Sequence, residues 1–365
     1  MFKFRNIDSF IPGIFERIGM LKGKRWYAES ETSKIGLFKP KRYEHGDRKV
    51  FCANHYGEFM GYLLANNAGT NSCEAELAEL SHYYANIHKE RNHGTPENKK
   101  GCIIYKHLEP SDSLETGYVT IDKFIYNNPE FLRKLIKNDM RTNRINDNIE
   151  VVLNSIEYEV REFYERQRIV TQEYIEKQIK INKEKAIEMI IFDCLYGNND
   201  RHDENWSMKI GKDSIGLYEL YDNERVLGLY ENQNTIENAI RNGNVEEVSE
   251  NILFSRMRVP GENNKNSSYK SVLNYLMENY KYETKSILER HLKRNTPEKI
   301  TQYLNECEGL PECYVEFGSQ MYKSRYEYAK NLCKQKSQES MPKTYINFTI
   351  NINQNELQTS QGEAR

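Results

Sequence analysis

Gly197-Asn198-Asn199-Asp200-Arg201-His202-Asp203-Glu204-Asn205-Trp206 is the stretch on which the reading of this chain turns. Upstream, Ile187, Ile190, Ile191, Cys194 and Leu195 recur at helical spacing and form one apolar stripe. Residues 183–195 therefore read as a buried helix, stopped by Gly197. Downstream, residues 206–210 and 215–221 read as two strands around a tight turn at Gly211-Lys212-Asp213. The second strand ends in Leu220-Tyr221-Asp222-Asn223. A buried helix thus delivers a loop holding Asp200 and Asn205, and a hairpin returns a second carboxylate, Asp222.

Phosphoryl transfer asks for such a set. A carboxylate must orient the attacking hydroxyl and accept its proton, and oxygen ligands must hold Mg²⁺ against the phosphates. An Asp and an Asn on one loop divide these tasks: the charged group faces the nucleophile, and the neutral amide oxygen ligates metal. Asp200 is accordingly read as the base, Asn205 and Asp222 as magnesium ligands, and ATP as the phosphoryl donor. Asp and Asn are also common turn formers and caps. The combination in this order carries the reading, not either residue alone.

Composition limits the rest. A length of 365 residues argues weakly for two lobes, and 38% hydrophobic with 12% aromatic residues is enough to fold. Lys+Arg 52 against Asp+Glu 54 gives a net charge of −2, without the global basic footprint of a nucleic-acid binder. No run approaches ~20 apolar residues, so no membrane span is expected. Residues 1–19 contain no signal-peptide core, and a cytoplasmic protein is expected. The cysteines, 7 in all, are scattered without a CxxC pair and read as reduced thiols. The expected organisation is a β-rich lobe over 1–108, a helical lobe over 109–335 and a polar, mobile tail over 336–365. In the first lobe, strands are expected at 25–30, 34–39 and 101–108. Tyr56, Phe59, Met60, Leu63 and Leu64 mark a helix that Asn67-Ala68-Gly69 stops, and residues 73–85 suit strand or helix.

The order D-x4-N, hairpin, Asp resembles the protein-kinase superfamily. The form N-x-D-R-H-x-x-N-W, with a later Y-D-N instead of D-F-G, resembles the HipA-like serine/threonine kinases. The resemblance covers roughly residues 25–300 and is specific at 197–223. It implies a two-lobed α+β protein-kinase-like fold, with a small β-rich N-lobe, a larger helical C-lobe and ATP between them. Asp200 matches the family's catalytic base, and Asn205 and Asp222 match its magnesium ligands. His202 lies in the same loop, either beside the nucleotide or orienting Asp200; Tyr221, next to Asp222, is grouped with the nucleotide-binding residues.

Lys39, closing the strand Lys34-Ile35-Gly36-Leu37-Phe38-Lys39, is similar to the family lysine that contacts the α/β-phosphates, with Lys41 as its rival. Glu58 on the following helix is the candidate ion-pair partner, with Glu74 and Glu76 competing. Residues 28–34 occupy the phosphate-covering loop and lack G-x-G-x-x-G, as members of this family do. Several members autophosphorylate a serine there, which makes Ser30, Thr32 and Ser33 candidates. A phosphate beside bound nucleotide is repulsive and would expel the loop. Residues 103–108 take the place of the inter-lobe hinge, where the backbone of Lys106, His107 and Leu108 would read the adenine edge.

The resemblance also implies a protein substrate, of unspecified identity, and admits an antitoxin-type partner. Only about two dozen residues precede the first core strand, so the extra N-terminal subdomain of toxin-type members is expected to be missing. The chain looks more like stand-alone members, including effector kinases. Two other readings compete. Phosphoinositide-type lipid kinases share D-R-H-x-x-N, although the acidic, Asn-rich residues 231–250 suit an anionic membrane poorly. An inactive kinase fold serving as a binding module is the other.

Overall fold

The computed structural model describes residues 1–12, 25–29, 32, 34–41, 53–81, 100–106, 108–109, 111–138, 145–167, 170–262 and 267–338. Among them, six strands form one sheet in the order β1 (Arg5–Asn6), β5 (Ala75–Glu79), β6 (Lys100–Tyr105), β4 (Ile35–Pro40), β3 (Arg25–Ala28), β2 (Ile11–Pro12). All neighbours are antiparallel except β1 beside β5. Strand alternation sorts the side chains into two layers. Ile103 and Tyr105 of β6 join Ile7, Phe10, Tyr27 and Phe38 under one face. Cys102 and Ile104 join the main core on the other, with helix α1 (Asn54–Ala68). Lys39 follows Phe38 and pairs in register with Cys102, so the pleat turns it towards α1.

Helix α1 is wedged between this sheet and the helical half, and most of it is buried. It ends at Gly69, whose φ of 77° is the left-handed stop that the sequence predicts. Both of its ends are stitched to the helical half by side chains. Asn295 Nδ2 donates to the Leu64 carbonyl at 2.9 Å, Arg290 Nη1 to that of Ala68 at 2.8 Å, and Tyr56 Oη to that of Glu308 at 2.6 Å.

The helical half comprises, in chain order, α2 (Gly117–Asn127), α3 (Pro129–Asn138), α4 (Ile149–Arg166), α5 (Gln172–Tyr196), α6 (Gln233–Arg241), α7 (Val245–Ile252), α8 (Tyr269–Asn279), α9 (Lys281–Arg294), α10 (Pro297–Glu306) and α11 (Glu312–Gln338). A second sheet, β7 (Ser113–Thr116), β8 (Ser207–Ile210), β9 (Ile215–Leu217), sits among them. The architecture is α+β and two-lobed.

Four local expectations change. Helix α5 begins at Gln172 instead of near 183, capped by Thr171, whose hydroxyl accepts from the Tyr174 amide at 3.3 Å. Its early turns bury only Ile175 and Ile179, too little for an apolar stripe to show. Residues 75–79 are strand, which settles the strand-or-helix choice for the described part of 73–85. Strand β6 stops at Tyr105, short of 108. Strand β9 stops at Leu217, because Leu220 leaves the hairpin to pair with the other lobe. Its amide donates to the Asn71 carbonyl at 3.0 Å, and the Cys73 amide donates to its carbonyl at 2.9 Å. That bridge lies two residues before Asp222. Residues 339–365 of the expected tail lie outside the described residues.

Two buried histidines make stability depend on pH. His55 of α1 lies against Phe4 and Tyr56, and burial, reinforced by Lys41 and Lys100, pushes its pKa well below the usual value. Burial also lowers His291, although Glu188 opposes it. Both are neutral in the fold, whereas the unfolded chain protonates them below about pH 6.5. The unfolded state then binds more protons, so this stability is present above that pH and is lost as pH falls. Thermal melts from pH 7 to 5 should show a falling midpoint, and His55→Phe should flatten the slope.

Candidate active site

The buried end of α5 carries one carboxylate, Asp193, among its apolar side chains. A charge in such a place must be paired, and its partner is Arg201. Arg201 Nε donates to Asp193 Oδ2 at 3.1 Å and Nη2 donates to Oδ1 at 3.2 Å. The other donors fasten three further points. Nη1 donates to the carbonyls of Asn205, at 2.8 Å, and Tyr221, and Nη2 donates to Asn223 Oδ1 at 2.6 Å. All five N–H donors of the guanidinium are thus used, and the side chain is 1% exposed. Arg201 ties the end of helix α5, the 200–205 loop and both neighbours of Asp222 into one knot.

Around that knot the loop is tightly turned. Asn205 Nδ2 donates to the Asp200 carbonyl at 2.6 Å, which leaves the amide oxygen as the atom Asn205 has to offer. The Tyr221 hydroxyl contacts Ser207 Oγ at 2.7 Å and donates to the Glu204 carbonyl at 3.1 Å. Burial pushes its pKa up to about 12, so it remains a donor. His202 accepts from the Glu204 amide at Nδ1, at 3.2 Å. The Asp203 carboxylate, 3.8 Å from the same nitrogen, raises its pKa against the effect of burial. His202 thus braces the loop through the Glu204 amide. The Asp200 carboxylate instead meets Arg225, whose Nε lies 3.2 Å from Oδ2.

Across from the loop, the Lys39 ammonium bonds to Glu58 Oε1 and Asp222 Oδ1. Glu58 Oε2 in turn accepts from the Asn223 amide at 2.9 Å. Its rivals are engaged elsewhere: Glu74 pairs with Lys34 at 2.9 Å, and Glu76 with Arg5 at 3.1 Å. Burial works against the Lys39 charge, but Asp222, then Glu58 and Glu224, outweigh it and hold its pKa above the ordinary value. Carboxylate oxygens of Glu58, Asp222 and Glu224 lie within 4.8 Å of one another. The three carboxylates crowd near the Lys39 ammonium, and burial lifts Glu58 above the usual carboxyl range. Hard oxygen donors gathered in this way are what a divalent cation takes, so the donor set of Asp222 with the Asn205 amide fits Mg²⁺.

Close packing holds Asp222 in place. A Cβ on Gly57 of α1 would stand 2.1 Å from the Glu224 carbonyl oxygen, and one on Gly61 would stand 2.4 Å from Asn223 Cβ. Only glycines allow α1 to approach so closely. Asp222 itself has φ 58°, a conformation that a non-glycine residue seldom adopts.

The structure therefore brings Lys39, Glu58 and Asp222 into contact, and joins Asp200 and Asn205 to them through Arg201. It does not bring Thr32 there: its hydroxyl donates to Glu29, in a turn closed by the Glu29 amide and Lys34 carbonyl at 2.8 Å. Lys106 lies past the end of β6, its ammonium 5.0 Å from the Trp26 ring centre. Burial, and Lys39 nearby, lower its pKa. Leu108 is exposed. Ser30, Ser33 and His107 lie outside the described residues. Sequence reasoning missed Asp193, Arg201, Asn223, Glu224 and Arg225. The one available signal was Asp193, a lone carboxylate in an apolar helix.

Comparison with solved structures identifies the fold. The Helicobacter pylori proinflammatory kinase CtkA superposes with a TM-score of 0.67 at 15% identity, over 93% of this chain and 100% of that one. This chain has a kinase fold. HipA of Shewanella oneidensis MR-1, solved with HipB and operator DNA, superposes with a TM-score of 0.49 at 15% identity, over 89% of this chain and 68% of that one. No protein-family model and no curated protein matches the sequence.

Removing the guanidinium would strand Asp193 in the core. Arg201→Met should cost about 3–5 kcal/mol, the usual result of breaking a buried pair. Urea unfolding checks this. Arg201→Lys should recover only part of the loss, since an ammonium cannot span the same five acceptor contacts.

Proposed function

We propose that this chain is a kinase that transfers the γ-phosphate of ATP, with Mg²⁺, to a serine or threonine hydroxyl of a protein. The observation that carries the proposal is the linkage of Asp200 and Asn205, through Arg201, to an Asp222 already bonded to Lys39. Its setting, a kinase fold matched over 93% of this chain, supports it.

Each residue has a task. Asp200 orients the acceptor hydroxyl and takes its proton as the oxygen bonds to the γ-phosphorus; the bond to the β–γ bridging oxygen breaks, and ADP leaves. Asn205, through its amide oxygen, and Asp222 would hold the metal. Bound there, Mg²⁺ neutralises phosphate charge. Lys39 is the ammonium for the α/β-phosphates and is kept charged and aimed by Glu58. One of the hydroxyls of Ser30, Thr32 and Ser33 is proposed as the acceptor in autophosphorylation.

Incubation with γ-labelled ATP, alone and with a protein lysate, tests the reading. Label should enter protein only with Mg²⁺, and phosphopeptide mapping should find part of it within residues 28–34. Asp200→Asn should lower the rate about 10²–10⁴-fold, the usual contribution of general-base catalysis, while sparing ATP affinity. Near-wild-type turnover in Asp200→Asn would contradict the assignment of the base.

A further inference from the structure

Of the cations at this site, two are already committed. Lys39 is held by Glu58 and Asp222, and Arg201 has spent every donor. Arg225 differs. Its Nε lies 3.2 Å from Asp200 Oδ2, its Nη1 donates to Asn199 Oδ1 at 3.4 Å, and its guanidinium lies 4.3 Å from the centre of the Tyr230 ring. The Nε contact is an ion pair without hydrogen-bond geometry, so among the described residues neither Nε nor Nη2 makes a hydrogen bond. The side chain is 26% exposed, against 1% for Arg201.

The backbone beneath Arg225 is firmly held. Asn223 is bonded to Arg201, the Glu224 carbonyl abuts Gly57, and Val226 and Leu227 are fully buried. Gly228 packs against Phe317, where a Cβ would stand 2.6 Å from the ring. Within this short turn Asp222 and Leu227 both keep positive φ, 58° and 56°. Such conformations persist only where the surroundings over-determine them, and they cluster at functional sites. The planar fork is therefore presented beside the proposed base by a firmly held backbone, with donors to spare.

We propose that Arg225 is a catalytic residue: it fixes one oxygen of Asp200 and offers Nη2 to the phosphoryl group during transfer. This rests on the kinase reading above. The acceptor oxygen bonds to phosphorus, its proton passes to Asp200, and the bond to the bridging oxygen of ADP breaks. Negative charge spreads over the equatorial oxygens of the moving group, and a fixed guanidinium answers it there without reorganising. Holding Oδ2 keeps Oδ1 turned to the hydroxyl. The ligand class is the γ-phosphoryl of a nucleoside triphosphate.

The test uses the full chain with Arg225→Met, Arg225→Lys and Arg225→Ala, beside wild type and Asp200→Asn. For each, kcat, KM for ATP, the Mg-ATP dissociation constant and the melting temperature are measured, and Arg225→Ala is also assayed with added guanidinium ion. Arg225→Met should lose about 10²–10³-fold in kcat, as when one transition-state donor is removed. Its Mg-ATP dissociation constant should change less than about threefold, because ground-state binding is spared. Lysine should restore part of the rate, and guanidinium should raise Arg225→Ala by about tenfold or more, since charge and fork are what was removed. Wild-type turnover with an inactive Asp200→Asn and an unimpaired Arg225→Met would overturn this inference alone. So would a lowered melting temperature in Arg225→Met with no recovery by lysine or guanidinium. A wild-type chain that turns over no ATP overturns both this inference and the kinase reading.

Discussion

The guanidinium of Arg201 is the point on which the geometry of this molecule depends. Burying a charge of that size costs several kcal/mol, which one carboxylate seldom offsets alone. Here the carboxylate of Asp193 is joined by two backbone carbonyls and a side-chain amide oxygen, so no N–H remains unmatched. The value of such a centre lies less in net stability than in geometry. Its acceptors belong to the end of helix α5, the 200–205 loop and the 221–223 segment, and only one relative placement of the three satisfies them all. Asp200, Asn205 and Asp222 inherit that placement.

The second constraint is the approach of α1. It carries Glu58 and the two glycines that admit the 223–224 backbone, its first turn is bonded to residue 308, and its far end is bonded to α9 and to residue 295. Lys39 arrives from β4 through strand alternation alone. The ammonium thus meets carboxylates from two independently anchored elements. Asp222, Glu58 and Glu224 together hold the lysine charged in spite of its burial. Packing, pleat and charge converge on Asp222, whose positive φ marks the strain that they jointly sustain.

Much of this was readable from residue order. Asp200, Asn205 and Asp222 stand out because a helix stop and a hairpin bracket them, and those signals are local. Lys39 and Glu58 come from the family resemblance, which asks for a lysine at that strand end and an acid to hold it, with Lys41, Glu74 and Glu76 as rivals. The roles of Arg201, Asn223, Glu224 and Arg225 were not readable, since each depends on a contact between distant segments. Arg201 stands inside the most informative motif, yet nothing local says that its side chain turns into the core. Strand ends were misplaced for the same reason: β9 stops at Leu217 because Leu220 pairs with residues 71–73, a partner that the hairpin's own sequence does not announce.

In the proposed function the 200–205 loop, Asp222 and Lys39 form one nucleotide-binding cleft. A crystal structure of the chain with Mg²⁺ and a non-hydrolysable ATP analogue tests this most directly. Metal is expected on the Asn205 amide oxygen and the Asp222 carboxylate, the triphosphate against Lys39, and Arg201 unmoved. Nucleotide bound elsewhere, or metal away from both residues, would contradict it.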